Sequence, residues 1–321
     1  MLHVLQQLAP FIGQTPCIPL RHASAQLFAK LEYNNFTGSS KDRAAYSIIY
    51  KGIEAGLINQ DTTIIASSSG NLAVAVASIC KLLQLKFIPV IDPNINTDNE
   101  RLLTLLSYRV VKVQERDETG GYLLTRIATV ERMHAEIPGS FIADQYGDPN
   151  NYKGYYGLAD EILEALPQPD HVFVAVSSSG AITGLSSRIK PVRPETKIIG
   201  VDIEGSVIFQ SQAKSRYISG IGASRVPPII ANAYIDDVVM VSHMELIAGC
   251  KALLQEQAIF AGASSGAVYY AAKAYLEVTG SSGTAVMIFP DKGYTYMSTI
   301  YNDAWVEALA DKLAAAEPAS I

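Results

Sequence analysis

The feature that most constrains this chain is the alternation of short apolar, β-rich runs with longer stretches of helical periodicity. The pattern predicts strands over residues 26–31, 62–66, 86–91, 109–114, 171–176, 197–202 and 284–289. It predicts helices over 71–83, 98–107, 121–136, 152–165, 181–190, 243–257 and 265–278. Such alternation implies an α/β fold of mainly parallel sheets with helices on both faces. Ligands on such sheets bind beyond the C-terminal strand ends, where loops lead into helices. Strand-to-helix junctions are therefore the places to look for chemistry.

The bulk properties narrow the class. A length of 321 residues fits two domains or one large one. With 49% hydrophobic and 17% charged residues, the chain has the composition of a compact folded protein. A net charge of -6 argues against nonspecific nucleic-acid binding. No apolar run is long enough to predict a membrane span. The first residues lack a basic segment and a cleavage motif, and read as a short amphipathic helix. Cys17, Cys80 and Cys250 are odd in number and widely spaced, which points to a reducing, cytoplasmic setting and to three small buried hydrophobes. The five histidines form no metal-binding spacing, so no metal site is expected.

Several junctions carry polar groups in patterns that suit a charged ligand. Residues 34–43 form a polar, glycine-containing turn that leads into a helix starting near Lys41. A lysine at the positive end of a helix dipole is disfavoured as a cation, and the free amine is the form that makes a Schiff base. Ser67, Ser68, Ser69, Gly70 and Asn71 follow a strand and open a helix. Ser177, Ser178, Ser179, Gly180 and Ala181 repeat the arrangement elsewhere. Hydroxyls and backbone N–H groups at a helix N-terminus make an anion site. Gly262, Ala263, Ser264, Ser265 and Gly266 form a further turn, and residues 220–227 a glycine-rich loop carrying Arg225. Each feature is also compatible with an ordinary capping loop. Together they suit a phosphorylated aldehyde and an amino-acid carboxylate.

In this order the motifs resemble the fold-type II pyridoxal-phosphate (PLP) enzymes of the cysteine synthase and cystathionine β-synthase family, from residue 13 to about residue 301. The resemblance implies that Lys41 forms the Schiff base and shuttles the Cα proton. Ser68, Ser69, Gly70, Asn71 and Gln145 would bind the substrate carboxylate, with Asn71 also near the cofactor's 3′-oxygen. Ser177, Ser178, Ser179, Gly180 and Ala181 would hold the cofactor phosphate. Ser264 would hydrogen-bond the pyridine nitrogen. A homodimer is implied, without a C-terminal regulatory domain or a haem-binding extension.

Segments 120–128, 205–209, 220–227 and 290–293 are similar to those of a subgroup, the N-(2-amino-2-carboxyethyl)-L-glutamate synthases. These join O-phospho-L-serine and L-glutamate on the way to L-2,3-diaminopropionate, a siderophore building block. The resemblance then implies substrate-binding roles for Arg126, Tyr146, Ser177 and Arg225. A sulfide-using cysteine synthase, a dehydratase and a catalytically silent homologue remain alternatives at this point. The implied large domain combines residues 1–35 and 145–305, a smaller domain spans 36–144, and 306–321 forms a tail that frays.

Overall fold

The computed structural model describes residues 1–118 and 120–316. Its strands are β1 (Cys17–Leu20), β2 (Gln26–Leu31), β3 (Thr63–Ser67), β4 (Lys86–Ile91), β5 (Val111–Lys112), β6 (Phe141–Ile142), β7 (His171–Ala175), β8 (Lys197–Ile203), β9 (Asp237–Val241) and β10 (Thr284–Phe289). They form a six-stranded sheet in the order β1-β2-β10-β7-β8-β9 and a four-stranded sheet in the order β5-β4-β3-β6. All pairs are parallel except β1 with β2. The four-stranded sheet lies wholly within residues 36–144.

The central strands are buried on both faces, which explains their unbroken apolar runs: Ala285 to Phe289 of β10 are all buried. Helix Asn71–Leu83 buries Ala73, Ala75 and Ala77 completely, so it approaches its sheet closely. The helices His243–Gln257 and Ala263–Thr279 are closer still. A Cβ on Gly249 would stand 2.0 Å from the Gly266 carbonyl oxygen.

Three departures from the sequence reading have local causes. The helix predicted over 152–165 is two helices, Pro149–Lys153 and Tyr156–Ala165. At the break, a Cβ on Gly154 would meet the Arg43 carbonyl at 2.5 Å, so helix Lys41–Glu54 packs where a continuous helix with side chains could not. The predicted 109–114 strand shrinks to Val111–Lys112, an edge strand paired only with β4. The strands β1, β6 and β9 escaped prediction; β6 is two residues long, and β1 carries Pro19 at a sheet edge.

Cys80 and Cys250 are buried and Cys17 is only half-buried, contrary to the uniform expectation; all three are free. The tail forms helix Asp303–Ala316, and the rest of the predicted fraying segment, 317–321, lies outside the described residues. Among the described residues no helix is long and apolar enough to cross a membrane.

A buried ionic network fixes the start of helix Lys41–Glu54. Arg43 bonds Glu32 through Nε at 2.6 Å and Glu161 through Nη1 and Nη2 at 2.8 Å each, and Lys30 Nζ reaches Glu161 at 2.6 Å. Burial acts to push the Glu161 carboxyl up, but hydrogen bonds and charge from Arg43 and Lys30 outweigh it and hold it down at about 2.

Candidate active site

The polar junctions at residues 34–43, 67–71 and 177–181 follow the C-terminal ends of strands, whereas the turn at residues 262–266 lies between the helices His243–Gln257 and Ala263–Thr279. β3 delivers the turn at Ser67, Ser68 and Ser69, β7 delivers the turn at Ser177, and β10 delivers Pro290 and Asp291. Backbone pairing then draws the separate turns together. Ser40 N donates to the Pro290 carbonyl at 2.9 Å, and Ser39 and Asp291 form an antiparallel bridge. Gly262 N donates to the Asp291 carbonyl at 3.0 Å. Lys41 thus opens its helix beside Asp291, with its backbone N–H 3.3 Å from Ser39 Oγ.

Asn71 opens helix Asn71–Leu83 and donates Nδ2–H to Asp291 Oδ2 at 2.7 Å. Burial pushes the Asp291 carboxyl up, offset by the Asn71 hydrogen bond, the Lys41 charge and the Tyr296 hydroxyl. Tyr296 Oη lies 3.4 Å from the same carboxylate oxygen. Ser264 and Ser265 are buried in the first turn of helix Ala263–Thr279.

The turn after β7 is shaped for an anion. Ser179 adopts a left-handed backbone, φ +67°, as it leads into helix Gly180–Ile189, and its side chain makes no capping bond. Its hydroxyl is buried without a hydrogen-bond partner in the protein. Such an orphan at a helix N-terminus, beside unpaired first-turn N–H groups, calls for a ligand acceptor. Gly180 is required here because a Cβ would stand 2.2 Å from Asn151 Oδ1. Gln145 donates through Nε2 to the Ser67 carbonyl at 3.0 Å, and its main-chain carbonyl accepts from Asn151 Nδ2, so the β3 turn is tied to the residue against which Gly180 packs.

The second half of the site is cationic. Arg126, on helix Leu123–Glu136, reaches back to the β3 turn: Nη1 donates to Ser69 Oγ at 3.0 Å. Its Nε sits 3.2 Å from Asp92 Oδ2 without the alignment of a hydrogen bond, and Ser69 Oγ donates to that same oxygen at 3.0 Å. Tyr146 is buried, with the Arg225 guanidinium 5.4 Å from its ring centroid. Burial pushes the Tyr146 hydroxyl up, and the charges of Arg126, Arg225 and Arg216 oppose that shift. Arg216 Nη2 donates to Ser224 Oγ at 2.8 Å. Ser177 Oγ donates to the Gly222 carbonyl at 3.0 Å, tying the 220–227 loop to the β7 turn.

Arg126 reaches the β3 turn from the body of its helix, while the other expected residues lie on turns, loops or helix starts, and not every one is free. Ser69 is engaged by Arg126 and Asp92, and Ser68 Oγ accepts from Gly70 N at 3.4 Å. Tyr122 stands at the N-cap of the Arg126 helix, with the Arg116 guanidinium 4.9 Å from its ring centroid. Asp92, Arg216 and Asp291 were missed. For Asp92 and Asp291 a signal existed: the first directly follows a predicted strand, and the second follows one after a single proline.

Fold and site define an α/β protein with an amine, an anion cradle and buried hydroxyls at the mouths of parallel strands. The family model for pyridoxal-phosphate dependent enzymes matches residues 8–291, and the chain belongs to that family. Its cofactor is PLP. The residues fit the group: the orphaned Ser179 hydroxyl and the first turn after it suit its phosphate, and Lys41, Asn71 and Ser264, each in the first turn of a helix, would be the groups to meet its aldehyde and ring. Among solved structures, the chain is 29% identical to an O-acetylserine dependent cystathionine beta-synthase from Helicobacter pylori, with TM-score 0.85 over 92% of this chain and 98% of that one. O-ureido-L-serine synthase shares the fold at 24% identity and TM-score 0.83, over 95% and 98%. A hydrogen sulfide-producing enzyme from Fusobacterium nucleatum does so at 24% and 0.83, over 91% and 98%.

Proposed function

We propose that this chain is a PLP-dependent β-replacement synthase that joins O-phospho-L-serine to L-glutamate and releases phosphate. The observation that carries the reading is a gathering of arginines: Arg126 Nη1 lies 3.0 Å from Ser69 Oγ, the Arg225 guanidinium lies 5.4 Å from the ring centroid of the buried Tyr146, and Arg216 bonds Ser224 beside Arg225 at 2.8 Å. A dianionic leaving group and a dicarboxylate nucleophile both need such partners, since burying carboxylates unpaired is strongly unfavourable. The 29% identical relative, named as O-acetylserine dependent, supports a β-substituted serine as first substrate.

When bound, PLP supplies the electron withdrawal that acidifies the substrate's Cα–H. Lys41 takes the Cα proton, and the Cβ–O bond breaks with its electron pair leaving on phosphate. The unprotonated glutamate nitrogen then bonds to Cβ and loses one proton, while Lys41 returns a proton to Cα. Ser68, Ser69, Gly70, Asn71 and Gln145 orient the first substrate's carboxylate. Arg126 and Tyr146 hold glutamate so that its attack becomes effectively intramolecular. Ser177, which bonds Gly222 of the loop that carries Arg225, and Arg225 itself would serve the phosphate.

One observation favours a second reading. Asp92 partly neutralises Arg126 at 3.2 Å, which suits a small uncharged or monoanionic nucleophile such as sulfide. Mass spectrometry of products from phosphoserine with glutamate, and separately with sulfide, decides between them. The aminocarboxyethyl-glutamate adduct is the expected product. Cysteine with sulfide and no adduct with glutamate would overturn the proposal.

A further inference from the structure

The Asp291 side chain is 7% exposed, and three segments of the site meet at this residue. Its backbone is bridged to Ser39, two residues before Lys41, and accepts from Gly262 N at 3.0 Å. Its Oδ2 accepts from Asn71 Nδ2 at 2.7 Å. Its Oδ1 is buried without a hydrogen-bond partner, in the space that a Cβ on Gly262 would enter to 2.0 Å. A carboxylate held this way, beside the lysine and against the turn leading to Ser264, is costly unless it does something for the site.

We propose that Asp291 is a positioning residue that acts through Asn71, fixing which end of the Asn71 amide faces the cofactor's ring oxygen. A side-chain amide has a donor end and an acceptor end of nearly the same shape, and only its partners decide between them. An ionised carboxylate accepts and cannot donate, so the nitrogen end of Asn71 must turn toward Asp291. That nitrogen carries a second N–H, splayed from the first, which remains to donate to an anionic ring oxygen. Rotated by half a turn, the amide would set its carbonyl against Asp291 and direct two acceptors at each other. Asp291 thus excludes the unproductive rotamer, and the absence of a Cβ on Gly262 leaves its carboxylate the room it occupies. The inference rests on the family's cofactor and on the approach of Asn71 to it, and holds whichever nucleophile is used.

The test is a double-mutant cycle read on the cofactor itself. PLP affinity and the pH midpoint of the bound cofactor's visible absorbance are measured for wild type, Asp291→Ala, Asn71→Ala and the double variant. Asp291→Ala is expected to lower affinity by about tenfold or more and to move the midpoint in the same direction as Asn71→Ala. The double variant is expected to be no worse than the single ones. Asp291→Asn, whose amide can present either end to Asn71, should recover only part of the affinity. Asp291→Ser replaces Asp291→Ala in the cycle should the latter fail to fold. Wild-type behaviour in either single variant, or losses that multiply in the double variant, would overturn the proposal.

Discussion

Arg126 Nη1 donates to Ser69 Oγ across 57 residues of sequence, 3.0 Å from donor to acceptor. One cation therefore braces the turn expected to hold the first substrate's carboxylate while facing the pocket proposed for the second substrate. Asp92 completes the group by accepting from Ser69 Oγ at 3.0 Å. Removing Arg126 thus touches both halves of the reaction, and the half-reactions must be measured apart. Arg126→Ala is expected to slow the glutamate half-reaction by about a hundredfold, the loss of a charge-assisted bond to a carboxylate. The phosphoserine half-reaction should fall by a much smaller factor. Rapid mixing with phosphoserine, followed by glutamate, separates the two; an equal loss in both would assign Arg126 to the β3 turn alone.

Lys41→Ala is expected to abolish turnover while retaining PLP, because the anion cradle at Ser179 and Gly180 is built independently of Lys41. Retained cofactor would dissociate on dialysis, unlike the covalently held cofactor of the wild type. Product formed at a near-normal rate by this variant would remove Lys41 from the mechanism.

Arg225 lies over Tyr146 at 5.4 Å on a loop tied to Ser177 through Gly222. Arg225→Ala should reduce kcat/KM for phosphoserine by about 10- to 150-fold, as expected for losing a charged hydrogen bond. The loss with acetylserine should be much smaller, since its leaving group carries no phosphate charge. Equal losses with the two substrates would show that Arg225 supports the loop and not the phosphate.

Ser264 and Ser265 are adjacent and both buried, yet they should respond differently. The Ser265 hydroxyl has no hydrogen-bond partner, so Ser265→Ala should leave thermal stability unchanged or raised by up to about 1 kcal/mol. Ser264→Asp should place a carboxylate against the pyridine nitrogen, hold a proton there and sharply reduce β-replacement. An unaltered cofactor spectrum in Ser264→Asp would show that this side chain does not meet the ring.

Two carboxyls predict opposite pH limbs of stability. Glu161 is held at about 2, below its usual 4.5, so its contribution is present above about pH 4.5 and is lost as pH falls toward 2. The loss is on the order of 3 kcal/mol. Asp202 is fully buried and is pushed up to about 6 by burial, against hydrogen bonds from Ser206 and Ile203 and the charge of Arg216. Folding there favours the protonated form, so this contribution is lost as pH rises from about 4 to about 6. Denaturation midpoints across pH 2.5 to 8 should fall at both ends. Glu161→Gln should flatten the acid limb, and Asp202→Asn should reduce the loss between about pH 4 and about pH 6. An Asp202→Asn protein that parallels the wild type between about pH 4 and about pH 6 would refute the second assignment.

Local pattern carried much of the architecture. The strands Gln26–Leu31, Lys86–Ile91 and Thr284–Phe289 and the helices Asn71–Leu83 and His243–Gln257 were read to the residue, because each has a run or periodicity that only one kind of element can bury. The motif residues around Lys41, Asn71 and Ser264 were visible for a similar reason: a glycine and hydroxyls at a turn that opens a helix have few other uses. The order β1-β2-β10-β7-β8-β9 was not visible, since pairing Gln26–Leu31 with Thr284–Phe289 joins segments some 250 residues apart and no local propensity encodes such a contact. Nor could sequence show that Arg126 would share its charge with Asp92, that Arg216 would join Arg225 around Tyr146, or that Asn71 would be held by Asp291. By itself the chain's pattern determined which elements form and which junctions hold polar groups. Only tertiary structure decided which of those groups meet, because hydrogen bonds and charges act over a few ångströms of space, however far apart their owners lie along the chain.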